Sequence, residues 1–284
     1  MTKIRRKLYI LITILSIIVF TMSISIYRGF SINPNNLQIN YSTLSSNKIP
    51  KEMNDVSIVY FTDLQFGKYQ NEERTKKVFD KIKYLDPDII IFGGDLYDTS
   101  ATITLETNNL LTKYFTDIHA PLGKFAILGE KDIRDESRIN TVKTIFSNSQ
   151  FEIIKDTNVH LGNQSKLGVR LIGLSPNPNY KKAFNGINSK EFNILLSHKP
   201  DAFNNPILET KSISYGMAGH SHGTQITFPI KGGYQTIKGA KVINCTNKKA
   251  LSFPYIISSG VGCTNINARL NATPSIEYYL LSSK

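Results

Sequence analysis

Runs of apolar residues recur along the chain, and several of them end at an acidic or polar residue. Residues 88–92 are Asp-Ile-Ile-Ile-Phe, so four apolar positions follow one another without alternation. This pattern predicts a strand covered on both faces, as in the middle of a parallel sheet. Two glycines stop the run. Asp95 follows them at the carboxyl end of the strand, where open α/β folds bind their ligands.

Similar runs elsewhere predict more strands of the same kind, and amphipathic segments separate the early ones. Buried strands are predicted at 56–61, 124–128 and 192–196. Residues 72–84 place Val78 and Ile82 on an apolar side with many lysines opposite, which predicts a helix. Two further helices are predicted at 102–118 and 137–146. The first half of the chain therefore alternates strand and helix, as α/β folds do.

The second half of the chain predicts mainly strands. They lie at 151–154, 169–174, 212–218, 226–228, 255–258 and 276–281, with Gly and Asn between the last of them. That spacing favours β-hairpins in the C-terminal part. Residues 37–41 alternate apolar and polar side chains, which predicts an edge strand near the start of the domain.

The N-terminal apolar run at 8–26 is long enough to cross a bilayer as a helix. A basic cluster at 3–7 precedes it and Arg28 ends it. Since basic flanks stay cytoplasmic, we expect a single-pass anchor in the cell membrane with the body on the extracytoplasmic side. A cleaved signal peptide is the alternative, although no Ala-x-Ala site follows. A buried soluble helix is less favoured, because the run has no polar face.

This run divides the chain into two parts. Residues 1–30 form the cytoplasmic basic cluster and transmembrane anchor, and residues 31–284 form one domain. The formal net charge is +12, and residues 1–30 contain five basic and no acidic side chains. The body is therefore only moderately basic, and we expect no nucleic-acid partner.

Cysteine usage excludes some classes of protein. Cys245 and Cys263 are the only two cysteines, and no Cys-x-x-C occurs, so zinc-finger and thioredoxin motifs are absent. The pair can form one disulfide outside the cytosol, or it can remain two buried thiols.

Five predicted strand ends carry side chains that can hold a metal ion. They are Asp63 with Gln65, Asp95 with Asp98, Glu130 with Lys131, His198, and His220 with His222. Three of the five histidines in the chain lie at these ends. Carboxylates and imidazoles together suit Mn, Zn or Fe rather than Ca or Mg. Two metals about 3.5–4 Å apart need a bridging carboxylate, and Asp95 beside its two glycines is suited to that role.

In this order the motifs resemble those of the calcineurin-like metallophosphoesterases, and within them the membrane-anchored bacterial branch. The family pattern is Asp-x-His, Gly-Asp-x-x-Asp, Gly-Asn-His-Asp, a lone His and Gly-His-x-His. The matching segments here are 63–65, 94–98, 129–132, His198 and 219–222. The resemblance extends from about residue 50 to the C-terminus.

The resemblance implies a four-layer αββα sandwich with two divalent metal ions (Mn, Zn or Fe). Asp63, Gln65, Asp95 and His222 would hold the first ion. Asp95, Glu130, His198 and His220 would hold the second. Asp98 and Asp132 would support these ligands. The implied reaction is attack of a metal-activated hydroxide on a phosphodiester, pyrophosphate or phosphomonoester bond.

Three residues depart from the family pattern. Gln65 replaces a histidine ligand, and its amide oxygen is a weaker ligand than imidazole. Glu130 replaces an asparagine and adds a negative charge. Lys131 replaces the histidine that assists the leaving group. We expect Lys131 to act catalytically by neutralising a leaving oxygen, since its usual pKa of about 10.4 makes it a poor proton donor.

Two interpretations of these departures follow. The chain is either a variant enzyme, which we favour, or a degenerate site that acts as a non-catalytic binding module. An adhesion protein on a β-rich scaffold has no positive support in the sequence. The expected partners of the enzyme are the bilayer, through the N-terminal helix, and a phosphorylated small molecule, lipid head group or envelope substrate.

Overall fold

The computed structural model describes residues 3–228, 230–234 and 236–284. Its α-helices are α1 (Lys3–Tyr27), α2 (Glu72–Leu85), α3 (Leu105–Asp117), α4 (Glu136–Asn148) and α5 (Tyr180–Ala183). Its strands are β1 (Gln38–Ser46), β2 (Ser57–Phe61), β3 (Ile89–Phe92), β4 (Lys124–Ala126), β5 (Phe151–Ile153), β6 (Thr157–Leu161), β7 (Val169–Leu174), β8 (Phe192–Ser197), β9 (Tyr215–Ala218), β10 (Thr227–Phe228), β11 (Gly232–Gly233), β12 (Tyr255–Ile257) and β13 (Ser275–Ser283).

Two main sheets carry the fold. One has six strands in the order β1-β13-β2-β3-β4-β5, and the other has five in the order β12-β9-β8-β7-β6. Strands β2, β3, β4 and β5 run parallel to one another in the first sheet, and β7, β8, β9 and β12 run parallel to one another in the second. Parallel neighbours bring their carboxyl ends to one edge, so the segments that follow them meet there.

Burial on both faces explains why β3 lacks alternation. Ile90 and Phe92 point to the core formed with the helices, whereas Ile89 and Ile91 point to the core between the two sheets. Successive side chains of a strand face opposite sides, so a strand inside a sandwich is apolar at every position.

Four layers stack in the molecule. Helices α2, α3 and α4 cover the outer face of the six-stranded sheet, and they bury an aromatic cluster that includes Phe79, Phe115 and Phe146. The outer face of the five-stranded sheet is covered by α5, by short 3₁₀ turns that bury Phe203, and by a loop that buries Phe253. The expected α/β sandwich is confirmed, with an outer layer of short turns on this side.

The N-terminal helix stands apart from this body. The helical segment from Lys3 to Asn35 is long and apolar enough to cross a membrane, with a mean hydropathy of 2.4, and its apolar window is 0% buried. Hydrogen bonds attach its end to the body, among them one from the Arg74 side chain to Asn35 Oδ1 at 2.7 Å. The Arg269 amide donates to the Gly29 carbonyl at 2.8 Å, and the Asn33 side-chain amide donates to the Arg269 carbonyl at 2.9 Å.

The C-terminal part differs from the predicted hairpins. Strand β12 pairs parallel with β9, and β13 inserts between β1 and β2. Only the two-residue strands β10 and β11 form an antiparallel pair in the described part of this region. The predicted edge strand is confirmed as β1. The two cysteines, both described, are not bonded to each other, and Cys263 is buried.

Candidate metal centre

The ends of five strands from both sheets meet at one place. Asp63 follows β2, Asp95 follows β3, Glu130 and Lys131 follow β4, His198 follows β8 and His220 follows β9. The His198 Nε2 atom lies 3.3 Å from Asp95 Oδ2 and 3.7 Å from Asp63 Oδ1. The structure therefore brings the predicted carboxylates and imidazoles together.

Backbone strain marks the same residues. Asp63, Gln65, Asp95, His220 and His222 have positive φ values of 57°, 53°, 61°, 67° and 48°. Side chains other than glycine rarely adopt this region unless the surrounding structure holds them there, and such strain clusters at functional sites.

The backbone at Gly129 lies very close to the Asp95 side chain. A Cβ atom built on Gly129 would lie 2.0 Å from Asp95 Oδ1. Glycine is therefore required beside the carboxylate, because any larger residue would push Asp95 out of position.

One group of side chains has the geometry of a metal site. Ligand atoms of Asp95, His198 and His220 all lie within 4.8 Å of one another, and all three residues are buried. Two buried polar atoms at this point, Asp63 Oδ1 and His198 Nε2, have no hydrogen-bond partner. Unpaired buried polar atoms are costly unless something binds them, so the residues fit a divalent cation.

Backbone carbonyls fix the orientation of the imidazoles. His198 Nδ1 lies 2.8 Å from the Gly93 carbonyl, and His220 Nε2 lies 2.8 Å from the Lys238 carbonyl. An N–H on each of these atoms leaves His198 Nε2 and His220 Nδ1 as the free ligand atoms. Such outer hydrogen bonds are the usual means by which proteins orient metal-binding histidines.

Asp132 organises the loops around Asp95. Its carboxylate accepts hydrogen bonds from the amides of Asp95, Leu96 and Gly129, each at 2.8 Å. Burial and the nearby Asp95 charge raise the pKa of Asp132 to about 6. Asp132 therefore supports the site, as the sequence predicted, without facing the ligand group.

The charges of the centre depend on one another. Burial alone would raise the pKa of Asp63 and Asp95, but His222 and His198 hold the pKa of Asp63 below its usual value, and His198 does so for Asp95. Burial alone would lower the pKa of His198, but Asp95 and Asp63 raise it to about 10. Burial lowers the pKa of His222 to about 3 and also lowers that of His220. Without a metal, His198 alone of the three imidazoles is protonated at neutral pH.

Gln65 and Lys131 contact each other beside Asp95. The Gln65 amide nitrogen donates to Asp95 Oδ2 at 2.9 Å, and the Lys131 ammonium donates to Gln65 Oε1 at 2.5 Å. The same ammonium lies 3.9 Å from both Asp95 Oδ2 and Asp98 Oδ2, and it donates to Thr264 Oγ1 at 3.1 Å. The structure thus places both variant residues against the predicted bridging carboxylate.

Glu130 lies at the rim on the other side. Its Oε2 pairs with the Lys199 ammonium at 2.8 Å, and its Oε1 is 3.8 Å from His220 Nδ1. The Glu130 side chain is 38% exposed, whereas the other carboxylates of the centre are buried. Glu130 is therefore near the histidines but paired with a lysine.

Sequence reasoning missed two residues of the site. Thr264 bonds both Lys131 and Asp98. Arg269 is fully buried and donates to the His222 carbonyl at 2.8 Å. Both lie in irregular segments without apolar periodicity, so the sequence pattern did not predict that they belong to the site. A lone arginine between Ala268 and Leu270 was the only available signal.

An apolar groove runs between the end of the N-terminal helix and the body. Its volume is about 540 Å³, and its lining includes Met22, Ile26, Phe30, Ile226, Phe228 and Leu270. Ile226 lies four residues after the site residue His222 in the sequence. The groove therefore lies between the end of the N-terminal helix and a loop that begins at the centre.

A family model described as calcineurin-like phosphoesterase matches residues 56–224. The match begins at the residue before β2 and ends just after His222, so it includes every predicted metal ligand. It covers more than half of the chain.

The chain is also similar to individual known proteins. An uncharacterized metallophosphoesterase, YkuE of Bacillus subtilis, is 26% identical over 258 residues, which cover 89% of this chain and 88% of that protein. The UDP-2,3-diacylglucosamine pyrophosphatase LpxG of Chlamydia muridarum is 29% identical over 231 residues, which cover 64% of this chain and 69% of that protein. Among solved structures, the calcineurin-like phosphoesterase YfkN from Bacillus subtilis matches 72% of this chain and 81% of its own with a TM-score of 0.40 and 15% identity.

Proposed function

Because the chain belongs to the calcineurin-like phosphoesterase family, we propose that it hydrolyses a phosphoester or pyrophosphate bond of an amphiphilic substrate at the membrane surface. Family membership makes it a hydrolase acting on phosphoester bonds. The observation that carries the hydrolytic part of the proposal is the buried group of Asp95, His198 and His220, whose ligand atoms lie within 4.8 Å of one another.

The chemistry of the site follows from its ligands. Asp95, His198 and His220 would hold a divalent ion such as Mn, Zn or Fe, and such an ion lowers the pKa of a bound water and polarises a phosphoryl oxygen. Asp63 and His222, at 3.4 Å between Oδ1 and Nε2, would form the other half of the centre. Two ions are the number implied by the family pattern, and Gln65 and Glu130 remain predicted ligands.

Lys131 has a role of its own in this proposal. Its ammonium, on a side chain that is 15% exposed, is fixed by Gln65 and Thr264 at the edge of the centre. There it can donate hydrogen bonds to a phosphoryl oxygen and offset negative charge as the leaving group departs. Its part in this proposal is charge compensation, and a water molecule would supply the proton of the leaving group.

The N-terminal helix supports a location at the membrane. The basic cluster at 3–7 favours a cytoplasmic N-terminus, so we place the body on the extracytoplasmic side. The apolar groove beside the helix end can accept a hydrocarbon chain while the polar head reaches the metal centre. The similar enzyme of Chlamydia muridarum is named for a diacylated nucleotide sugar, which is an amphiphile of this kind.

The proposal is tested by comparing substrates. Full-length protein in detergent is assayed with a soluble chromogenic phosphodiester and with a diacylated pyrophosphate in mixed micelles. Phe228→Ser, which makes the groove polar, should raise the KM for the diacylated substrate at least about fivefold and leave the soluble one unchanged. Tyr84→Ser, on the exposed face of α2, is the control. Equal effects on both substrates would contradict the amphiphilic assignment.

A second candidate, the binding module, has one observation in its favour. The Gln65 amide is occupied by Asp95 and Lys131, as its two hydrogen bonds show, so one predicted ligand is engaged elsewhere. Tight binding of phosphorylated ligands without turnover, in protein shown to contain metal, would favour this candidate over the hydrolase.

A further inference from the structure

The groups that surround the Asp95 carboxylate differ between its two sides. On one side, His198 Nε2 lies 3.3 Å from Asp95 Oδ2, with His220 beside it. On the other side stand the Gln65 amide nitrogen, at 2.9 Å from the same oxygen, and the Lys131 ammonium at 3.9 Å. One oxygen of Asp95 therefore faces imidazole nitrogens, which can ligate a metal ion once His198 releases its proton, on the first side, and the fixed ammonium of Lys131 on the second.

The Lys131 ammonium is surrounded by oxygen atoms, as a bound metal cation would be. Four oxygen atoms surround it, from Gln65, Thr264, Asp95 and Asp98, at 2.5, 3.1, 3.9 and 3.9 Å. The Lys131 backbone amide also donates to Asp95 Oδ1 at 3.0 Å. Both ends of the residue are thus tied to Asp95, and the side chain has little freedom to swing away.

This arrangement conflicts with a metal ion on the same side. Gln65 cannot ligate an ion through Oε1 while that atom accepts from Lys131. An ion bound to Asp95 Oδ2 on this side would lie within a few ångströms of the ammonium, and that repulsion would weaken its affinity by more than about 100-fold. If the ammonium keeps the ion away from Asp95, only Asp63 and His222 would remain as ligands on this side, which is too few for a stable site.

The opposite side has no such conflict. Asp95, His198 and His220 keep their ligand atoms free and oriented by the Gly93 and Lys238 carbonyls. Lys199, a lysine on that side, is paired with Glu130 at 2.8 Å. Its charge is therefore compensated at the rim rather than directed at the histidines.

We propose that the centre holds a single divalent cation, on Asp95, His198 and His220, and that the Lys131 ammonium replaces the other cation of the family's pair. The replacements at Glu130 and Lys131 are then related. Lys131 supplies the positive charge that the missing ion would have supplied, and the Glu130 carboxylate neutralises the nearby Lys199 ammonium. This inference rests on the proposed function for the purpose of the site, but its test requires no turnover.

The test counts bound metal. Full-length protein in detergent is stripped with a chelator, titrated with Mn²⁺ and desalted, and bound manganese is measured by elemental analysis and electron paramagnetic resonance. We expect about one Mn²⁺ per chain with the spectrum of an isolated ion, because exchange coupling needs two ions at about 3.5–4 Å. Two coupled ions in the wild type, or none, would overturn the inference.

Two matched lysine variants test whether the Lys131 ammonium is what excludes the second ion. Lys131→Met removes the ammonium but keeps the length of the side chain, so a second Mn²⁺ should bind and a coupled spectrum should appear. Lys199→Met removes the same charge on the other side of Asp95 and should stay at about one ion. A Lys131→Met protein that still binds one ion would overturn the replacement. The wild-type count stands as a test even if this variant fails to fold.

The outcomes separate this inference from the proposed function. An inactive wild type with about one isolated Mn²⁺ would contradict the hydrolase and support the single-cation centre. An active wild type with two coupled ions would support the hydrolase and contradict the single-cation centre.

Discussion

Asp95 is the residue on which the centre depends most, because both of its oxygens are engaged. Its Oδ1 accepts from the Lys131 amide at 3.0 Å, and its Oδ2 lies between His198 and Gln65. Asp63 instead has one oxygen bonded to Thr62 and to the His220 amide, and its other oxygen is unpaired.

We therefore expect Asp95→Asn to abolish Mn²⁺ binding. Asp63→Asn should weaken it by no more than about 10-fold, the effect of losing a supporting contact. Calorimetric titration of the two variants with Mn²⁺ measures the difference. Equal loss in both would contradict the central place of Asp95.

His198 predicts a proton release on metal binding. Burial lowers its pKa, but Asp95 and Asp63 raise it to about 10 without a metal, so it is protonated at pH 7 and must lose that proton to become a ligand. His220 has a lowered pKa and releases none. Titration in buffers of different ionisation enthalpy should show about one proton released per ion, and affinity should rise about tenfold per pH unit between pH 7 and 9. A pH-independent affinity would contradict this assignment.

At the residue scale, the sequence predicted which side chains meet but not how they contact each other. The ends of parallel neighbours in one sheet lie together, so the convergence of Asp63 and Asp95 could be predicted. His198 comes from the other sheet, and only the family resemblance placed it beside them. The bond between Lys131 and Gln65 joins two loops, and its geometry depends on left-handed backbone conformations that no periodicity encodes.

Among the elements, the loops behind the centre are joined by Arg269. Its guanidinium is buried and donates to the carbonyls of His222, Ser259, Gly260, Gly262 and Ala272. It thereby ties the turn after β9 to the loops that flank β12 and β13.

Replacing this arginine should cost much of the stability of the body. Arg269→Met leaves several buried carbonyls unpaired, so we expect a loss of about 3–5 kcal/mol in the free energy of unfolding. Arg134→Met, which removes one exposed bond to the Thr99 carbonyl, should change it by less than about 0.5 kcal/mol. Denaturant unfolding in detergent compares them, and similar losses would contradict the linking role of Arg269.

Elements with a buried surface could be predicted, and those without one could not. Strands β2, β3 and β8 are buried at every position, so their apolar runs were evident. Strand β6 was missed, because it is an edge strand with no buried residue. The C-terminal hairpins were wrong because long-range partners, rather than local turns, pair β12 and β13.

At the scale of the whole molecule, the N-terminal helix predicts a topology. If the body lies outside the cytoplasm, as proposed, a tag at the C-terminus, beside Lys284, should be cleaved by protease added to intact spheroplasts. A tag before the basic cluster should be protected until the membrane is broken, which serves as the control. The reverse pattern would contradict the proposed orientation.

Metal-dependent turnover tests the central claim most directly. Full-length protein in detergent is stripped of metal, supplied with Mn²⁺ and assayed on a panel of phosphomonoesters, phosphodiesters and pyrophosphates, beside Asp95→Asn. We expect hydrolysis that chelation abolishes, that Mn²⁺ restores, and that the Asp95 variant lacks. The contradicting result is a metal-loaded wild type that hydrolyses nothing, while the variant carrying Gln65→His, Glu130→Asn and Lys131→His is active.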